Sequence, residues 1–266
     1  MKLSAVFFGL ILLTSQVAFA NGPVINSSAP NTRIGLRAVE ETKARPNLPG
    51  DLIIEFGFNF LSDDFSYEAD SANFSVDREA STGFWGSKVV NFYYSHNMFI
   101  GGESSGFTFN PGLGLALEKF SFDEDITLTV NQFNGDTEIT DISSIGDVKK
   151  TKLALTYLDI PLEFRYHFNK TDYARGFRLA VGVKAGLLLG SHTKLKYENN
   201  EETVKLKDKR EFNLNPIRFG AIGRVGVGGF NLYYFQSISE LFKDGETPGF
   251  GPAVNPFQVG ISLIGF

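Results

Sequence analysis

From Asp51 onward, apolar and polar residues alternate with a period of two. Leu52, Ile54, Phe56, Phe58 and Phe60 share one parity, while Asp51, Glu55, Gly57 and Asn59 hold most of the other. Successive side chains of an extended strand point to opposite faces, so this spacing predicts a strand with one apolar and one polar side. The pattern returns in seven further segments, at about 85–100, 106–122, 151–168, 176–197, 211–228, 230–243 and 254–266. In the third, Phe107, Phe109, Leu113, Leu115 and Leu117 alternate with Thr108, Asn110, Gly112, Gly114 and Glu118. In the fourth, Leu158, Ile160, Leu162, Phe164, Tyr166 and Phe168 alternate with Asp159, Pro161, Glu163, Arg165 and His167. The fifth is the most regular, with Phe177, Leu179, Val181, Val183, Ala185, Leu187 and Leu189 against Arg178, Ala180, Gly182, Lys184, Gly186 and Gly190. In the sixth, Ile217, Phe219, Ala221, Val225 and Val227 oppose Arg218, Gly220, Arg224 and Gly226.

Such stripes also suit a soluble antiparallel sheet that turns its apolar side inward. The connections separate the two cases. They run long (61–84), short (Gly101 to Ser105), long (123–150), short (Asn169 to Arg175), long (198–210), very short (Gly228 and Gly229) and medium (243–253). Bacterial membrane barrels alternate long extracellular loops with short periplasmic turns, contain an even number of strands, and keep both termini periplasmic. The expected fold is therefore all-β, an eight-stranded antiparallel up-and-down transmembrane β-barrel over residues 51–266.

The N-terminal residues support export. Lys2, an apolar run from Ala5 to Leu13 and the small-residue boundary Ala18-Phe19-Ala20 read as a signal peptide over residues 1–20. Residues 21–50 carry Pro23, Pro30, Pro46 and Pro49 without any sustained period, as an extended periplasmic arm or linker does. The chain has no Cys, which excludes a lipid-modified Cys anchor, a disulfide framework and thiolate chemistry. Although 27 residues are Phe, mean hydropathy is only −0.06, as expected when lipid-facing and lumen-facing residues cancel. The net charge of −5 gives no basic footprint for nucleic acid. Much of the acidity lies in the first two long connections, among them Asp63, Asp64, Glu68 and Asp123, Glu124, Asp125.

The stretch Tyr157-Leu158-Asp159-Ile160-Pro161-Leu162-Glu163-Phe164-Arg165-Tyr166 resembles the "Y-L-x-I-P-L" strand of the PorT-like outer-membrane β-barrel family of Bacteroidota. Pro111-Gly112-Leu113-Gly114-Leu115, Gly182-Val183-Lys184-Ala185-Gly186 and Ser239-Glu240-Leu241-Phe242 add weaker echoes in the same order. The resemblance implies an OmpA-like eight-stranded barrel, some of whose relatives assist protein secretion across the outer membrane. It carries over no catalytic residue.

Candidate chemistry is sparse. The three His, at 96, 167 and 192, fall on different predicted strands. Ser95-His96 and Ser191-His192 fail as nucleophile and base, because neighbours on a strand face opposite ways. Asp123-Glu124-Asp125 lacks the spacing and Gly of a calcium loop. No metal, cofactor or catalytic residue is assigned, and the chain is not expected to be an enzyme.

If the apolar stripes face lipid, the inward face collects Glu55, Glu118, Asp159 and Glu163 with Arg165, Arg178, Lys184, Arg218 and Arg224. An eight-stranded barrel has an interior just wide enough for side chains, so these charges form a candidate lumen network that plugs the bore. The expected role is that of a structural or interaction protein assisting secretion or envelope assembly. Its expected partners are outer-membrane lipid, lipopolysaccharide and envelope or secretion proteins. A narrow solute pore is the alternative and a lipid-modifying enzyme a distant third.

Overall fold

The computed structural model describes residues 50–62, 65–71, 74–80, 86–102, 105–122, 124–173, 175–199, 202–248 and 254–265. The segment read as signal peptide and the N-terminal arm up to residue 49 lie outside these residues, as do Asp63, Asp64 and Asp123 of the acidic connections. Eight strands build the barrel: β1 (Asp51–Leu61), β2 (Lys88–Ser95), β3 (Phe107–Ser121), β4 (Asp147–His167), β5 (Phe177–Asn199), β6 (Ile217–Val227), β7 (Phe230–Ser237) and β8 (Pro256–Ile264). Each pairs antiparallel with its neighbours in sequence, and β8 returns to β1 with Ile53 opposite Ile264 and Phe60 opposite Phe257. Closing the ring satisfies the backbone N–H and C=O groups of the wall without water, which a bilayer demands.

The two faces of the wall differ in the way the alternation predicts. Phe56, Leu115, Leu162, Phe219, Leu232 and Val259 are exposed on the outside, while Glu55, Glu118, Glu163, Asn231 and Gln258 are buried inside. So wide an exposed apolar surface on a monomer is accounted for by lipid. Aromatic pairs mark both margins. Phe107–Tyr166 (4.6 Å) and Phe168–Phe177 (5.1 Å) lie at the end with the short turns, and Phe60–Phe257 (4.9 Å) lies toward the end with the long connections. These two ends are called the turn end and the loop end below.

Val183 is 56% exposed, whereas its neighbour Lys184 is fully buried. A cation on the lipid face near the midplane costs roughly 2–4 kcal/mol. Val183→Arg should therefore reduce the folded, outer-membrane-inserted fraction, as read by the heat-sensitive mobility of the barrel on gels. Val183→Leu should insert normally, and equal yields for the two variants would reject the assignment of faces.

The family-like motif has a packing role. Pro161 has no N–H, and the β3–β4 ladder omits Gly112 opposite it and the next residue, Leu113. A Cβ on Gly112 would lie 2.9 Å from Cγ of Pro161, so the Pro111-Gly112 pair of β3 makes room for the proline ring of β4.

Several boundaries differ from the sequence expectation. The second segment breaks at His96 and Asn97 into β2 and a short strand, Met98–Ile100, that pairs back onto β3. The sixth begins at Ile217 instead of near 211 and runs 11 residues, so it does not project beyond the membrane. The pair that projects is β4 and β5, with 21 and 23 residues. The seventh ends at Ser237. Two connections read as acidic loops hold hairpins of their own, Phe65–Ser71 with Phe74–Ala80 and Ile126–Val130 with Thr137–Asp141.

In β5 the regular alternation ends at a bulge. Leu188 pairs with Tyr157 but Gly190 pairs with Thr156, leaving Leu189 as the extra residue. An extra residue reverses the faces beyond it. Accordingly Thr193 and Leu195 are buried above the bulge, whereas Arg178, Ala180 and Lys184 are the buried set below it.

Candidate functional site

The lumen draws charged side chains from five of the eight strands, β1, β3, β4, β5 and β6, and all nine candidate residues lie within it. Glu55, Glu118, Asp159, Glu163, Arg165, Arg178, Lys184, Arg218 and Arg224 are each at most 7% exposed. Eight of them divide into two layers, stacked along the bore.

The layer nearer the turn end centres on Glu163. Arg224 donates to it from Nη2 (2.9 Å) and Nε (3.1 Å), and Arg165 donates from Nε at 3.3 Å. Arg224 Nη1 also reaches Glu55, and Ser262 Oγ at 3.0 Å. Glu55 in turn accepts from Asn91 at 2.7 Å. Arg165 Nη1 donates to Asp51 at 2.9 Å. Asp51, at the first position of β1, thus joins the network, so that the lumen holds five carboxylates and five cations.

The second layer, toward the loop end, centres on Asp159 and Glu118. Arg218 Nη2 donates to both oxygens of Asp159, at 2.9 and 3.1 Å, and Nη1 pairs with Glu118. The Tyr93 hydroxyl donates to Asp159 at 2.9 Å, and Gln258 donates to Glu118 at 2.6 Å. Lys184 Nζ lies 3.7 Å from Asp159 and sits over the Phe235 ring at 3.7 Å, and the Arg218 guanidinium lies 3.8 Å over Tyr157. Ions held this way offset part of their desolvation cost through pairing and ring contacts.

Gly186 serves this layer directly, since a Cβ there would lie 2.3 Å from Asp159 Oδ1 and 2.9 Å from Arg218 Nε. Gly114, Gly182 and Gly220 have another role. Their missing Cβ atoms would meet backbone oxygens of the neighbouring strand at 2.0–2.2 Å, so they permit close strand approach, and Gly114 and Gly220 also leave room for the Tyr93 and Phe235 rings.

Arg178 stands apart. It donates from Nε to Asn231 at 3.0 Å and to the Gly228 carbonyl, and among the described residues no carboxylate lies within 4.0 Å of it. It borders a cavity of about 140 Å³ at the turn-end mouth that Asp51, Thr108, His167 and Tyr173 also line.

Toward the loop end the bore turns apolar. Phe120, Leu153, Leu155 and Tyr157 of the wall form one buried cluster with Phe122, Ile126, Leu128, Phe212, Leu214, Leu241, Phe242 and Val254 from the connections. Sequence reasoning missed this lid. Short backbone contacts fasten it: Asn215 N–H donates to the Leu241 carbonyl (2.9 Å), Leu241 N–H to the Val254 carbonyl (2.9 Å) and Lys243 N–H to the Asn213 carbonyl (2.9 Å). Phe212 and Asn213 take left-handed backbone angles, φ 49° and 46°, to turn the chain inward. The Ser239-Glu240-Leu241-Phe242 echo therefore places two residues in the lid.

Ser191 and His192 do not converge as a nucleophile and base. His167 faces the turn-end mouth, its Nε2 3.5 Å from Thr108 Oγ1. His96 lies in the connection after β2, not on a strand. Ser191 Oγ donates to the Arg210 carbonyl at 2.7 Å, away from its neighbour His192. Among the described residues no group of three or more His, Asp or Glu is placed to hold a metal ion.

A family model described as "Outer membrane protein beta-barrel domain" matches residues 49–243. Among solved structures the chain is similar to Ail, the attachment invasion locus protein of Yersinia pestis, solved alone and in complex with the heparin analogue sucrose octasulfate. In the complex, identity is 10% over 82% of this chain and 99% of Ail, with a TM-score of 0.32; for Ail alone the TM-score is 0.31. It is also similar to AlkL, determined by solid-state NMR in lipid bilayers, with 13% identity over 90% of this chain and 96% of that one, and a TM-score of 0.26. No curated protein matches. A family match over residues 49–243, laid on a closed ring of eight antiparallel strands, shows that the chain belongs to the outer membrane protein beta-barrel domain family.

Proposed function

We propose that the protein is a closed outer-membrane scaffold whose work is done at its loop end and not through its bore. One observation carries this reading: the lumen is filled in series by two layers of paired charges and an apolar lid. The loop end is taken as extracellular, both termini as periplasmic, and residues 1–20 as a signal peptide ahead of the arm 21–50. The resemblance to the PorT-like family supports assistance to protein secretion or envelope assembly as the specific role. Catalysis is not part of this reading: the Ser191 hydroxyl donates to the Arg210 carbonyl and is turned away from His192.

A narrow solute pore is the second reading, favoured by the cavity at the turn-end mouth beside Arg178 and His167. Planar-bilayer recording separates the two. Protein purified from the outer membrane should begin at Asn21 and remain electrically silent. Steady, reproducible conductance steps would reject the scaffold in favour of the pore, and Met1 at the N-terminus would reject the signal peptide.

A further inference from the structure

Beyond the membrane belt, β4 and β5 continue as a sheet to which Glu202–Asp208 adds a third strand. The bulge at Leu189 turns the even-numbered residues of β5 outward here. The ladder sets Lys152 opposite Lys194 and Lys194 opposite Lys207, and two residues further sets Lys150 opposite Lys196 and Lys196 opposite Lys205. Residues directly opposite on antiparallel strands share a face. Six lysines therefore make a grid of two rows of three, about 10 by 7 Å from the strand and residue spacings. Thr151, Thr193 and Leu195 occupy the other face and are buried, while all six lysines are exposed or half-buried.

Like charges placed directly opposite destabilise a sheet. Nearby carboxylates do not relieve the repulsion: Asp147 and Glu198 pair with Lys149, and Asp208 pairs with Arg210. Among the described residues none of the six lysines has a carboxylate within 4.0 Å. An anion seated on the grid would balance it.

The height and continuity of the face indicate which anion. The same outward face runs down into the lipid-facing stripe, through Lys119 opposite Ala154 to Leu117 opposite Thr156. The row containing Lys152 lies four residues past that last apolar position, roughly 13 Å along the strand, or about 10 Å along a barrel axis tilted about 40°. The polar headgroup region is about 5–8 Å thick on each side of the hydrocarbon. Lysine stems bend toward such a boundary and bring their ammonium groups to it. We propose that this grid is a binding site for the phosphate groups of lipid headgroups in the leaflet at the loop end, best suited to a headgroup carrying more than one phosphate. The site rests on the barrel fold and the lipid-facing belt, and a conducting or a silent lumen leaves it unaffected.

The full-length protein in neutral detergent, titrated with diphosphoryl lipid A and followed by native mass spectrometry, tests the site. The triple variant K152Q/K194Q/K207Q should bind on the order of a hundredfold more weakly, the loss expected for three basic residues at an anionic surface. The triple variant K152R/K194R/K207R should retain the wild-type affinity. Wild-type affinity should fall as salt is raised, and dephosphorylated lipid A should bind no better than the glutamine variant. Equal binding by wild type and a folded glutamine variant, or salt-independent binding by wild type, overturns the proposal. So does displacement of the lipid by an equal concentration of inorganic phosphate, or capture of a sulfated polysaccharide in preference to the lipid. Should the glutamine variant fail to fold, the salt dependence and the arginine variant still decide.

Discussion

Glu163→Ala should unfold in detergent at a clearly lower temperature than the wild type. Glu163 is the acceptor shared by Arg224 and Arg165, so its removal leaves two guanidinium groups short of a partner inside the bore. Breaking a buried ion pair from one side typically costs about 3–5 kcal/mol. Arg224 keeps Glu55 and Arg165 keeps Asp51, and water can enter the vacated volume, so the lower end of that range is expected. Arg178→Ala is the contrast. Among the described residues it removes a cation with no paired carboxylate, and a smaller shift should follow. Thermal shift of heat-sensitive mobility on gels measures both. An Arg178→Ala loss equal to that of Glu163→Ala would contradict the two-layer pairing.

Phe242→Ala should loosen the lid. The ring is 1% exposed and packs in the cluster with Phe212, Leu214 and Phe120. Truncating a buried Phe costs about 3–5 kcal/mol in lost contacts and cavity. Because the lid is built from connections and not from the ring of strands, the loss should appear as local opening before global unfolding. Limited proteolysis should cut within 238–255 far faster than in the wild type, while the wall stays folded. Ile238→Ala, at a residue 60% exposed beside the lid, should leave the cutting rate unchanged. The lid variant should also stay closed to ions, because both charged layers lie below it. Conductance after lid removal alone would show that the lid, and not the ion pairs, seals the bore.

The sequence showed the wall because parity is a local property. Once Leu162 and Val183 are taken as outward, Glu163 and Lys184 must face in, and no three-dimensional information is needed. The pairing was not legible, because which Arg meets which Glu depends on strand stagger, and Arg224 and Glu55 are 169 residues apart. Asp51 could have been included, since it shares the parity of Glu55. Tyr93 and Gln258 carry no charge to draw attention and lie on less regular segments. Leu189 is apolar and continues the outward stripe, so nothing in the alternation marks it as a bulge. The lid was hidden for a different reason. Phe122, Ile126, Phe212 and Leu241 come from three separate connections, and their convergence is a tertiary fact with no period in sequence.

The cross-bore pairs also bear on the order in which the barrel forms. The β4–β5 hairpin, joined by the short turn after His167, closes a small loop and can form early. Arg224 on β6 must wait for Glu55 on β1, and both reach their final separation only when β8 closes against β1. Until then Arg224 lacks Glu55, and the charged inner face of the unfinished sheet cannot enter hydrocarbon. Those charges keep that face in water and leave the apolar face to meet lipid, so insertion has one permitted direction. Ring closure is then the step that converts an open, charged trough into a filled and paired core.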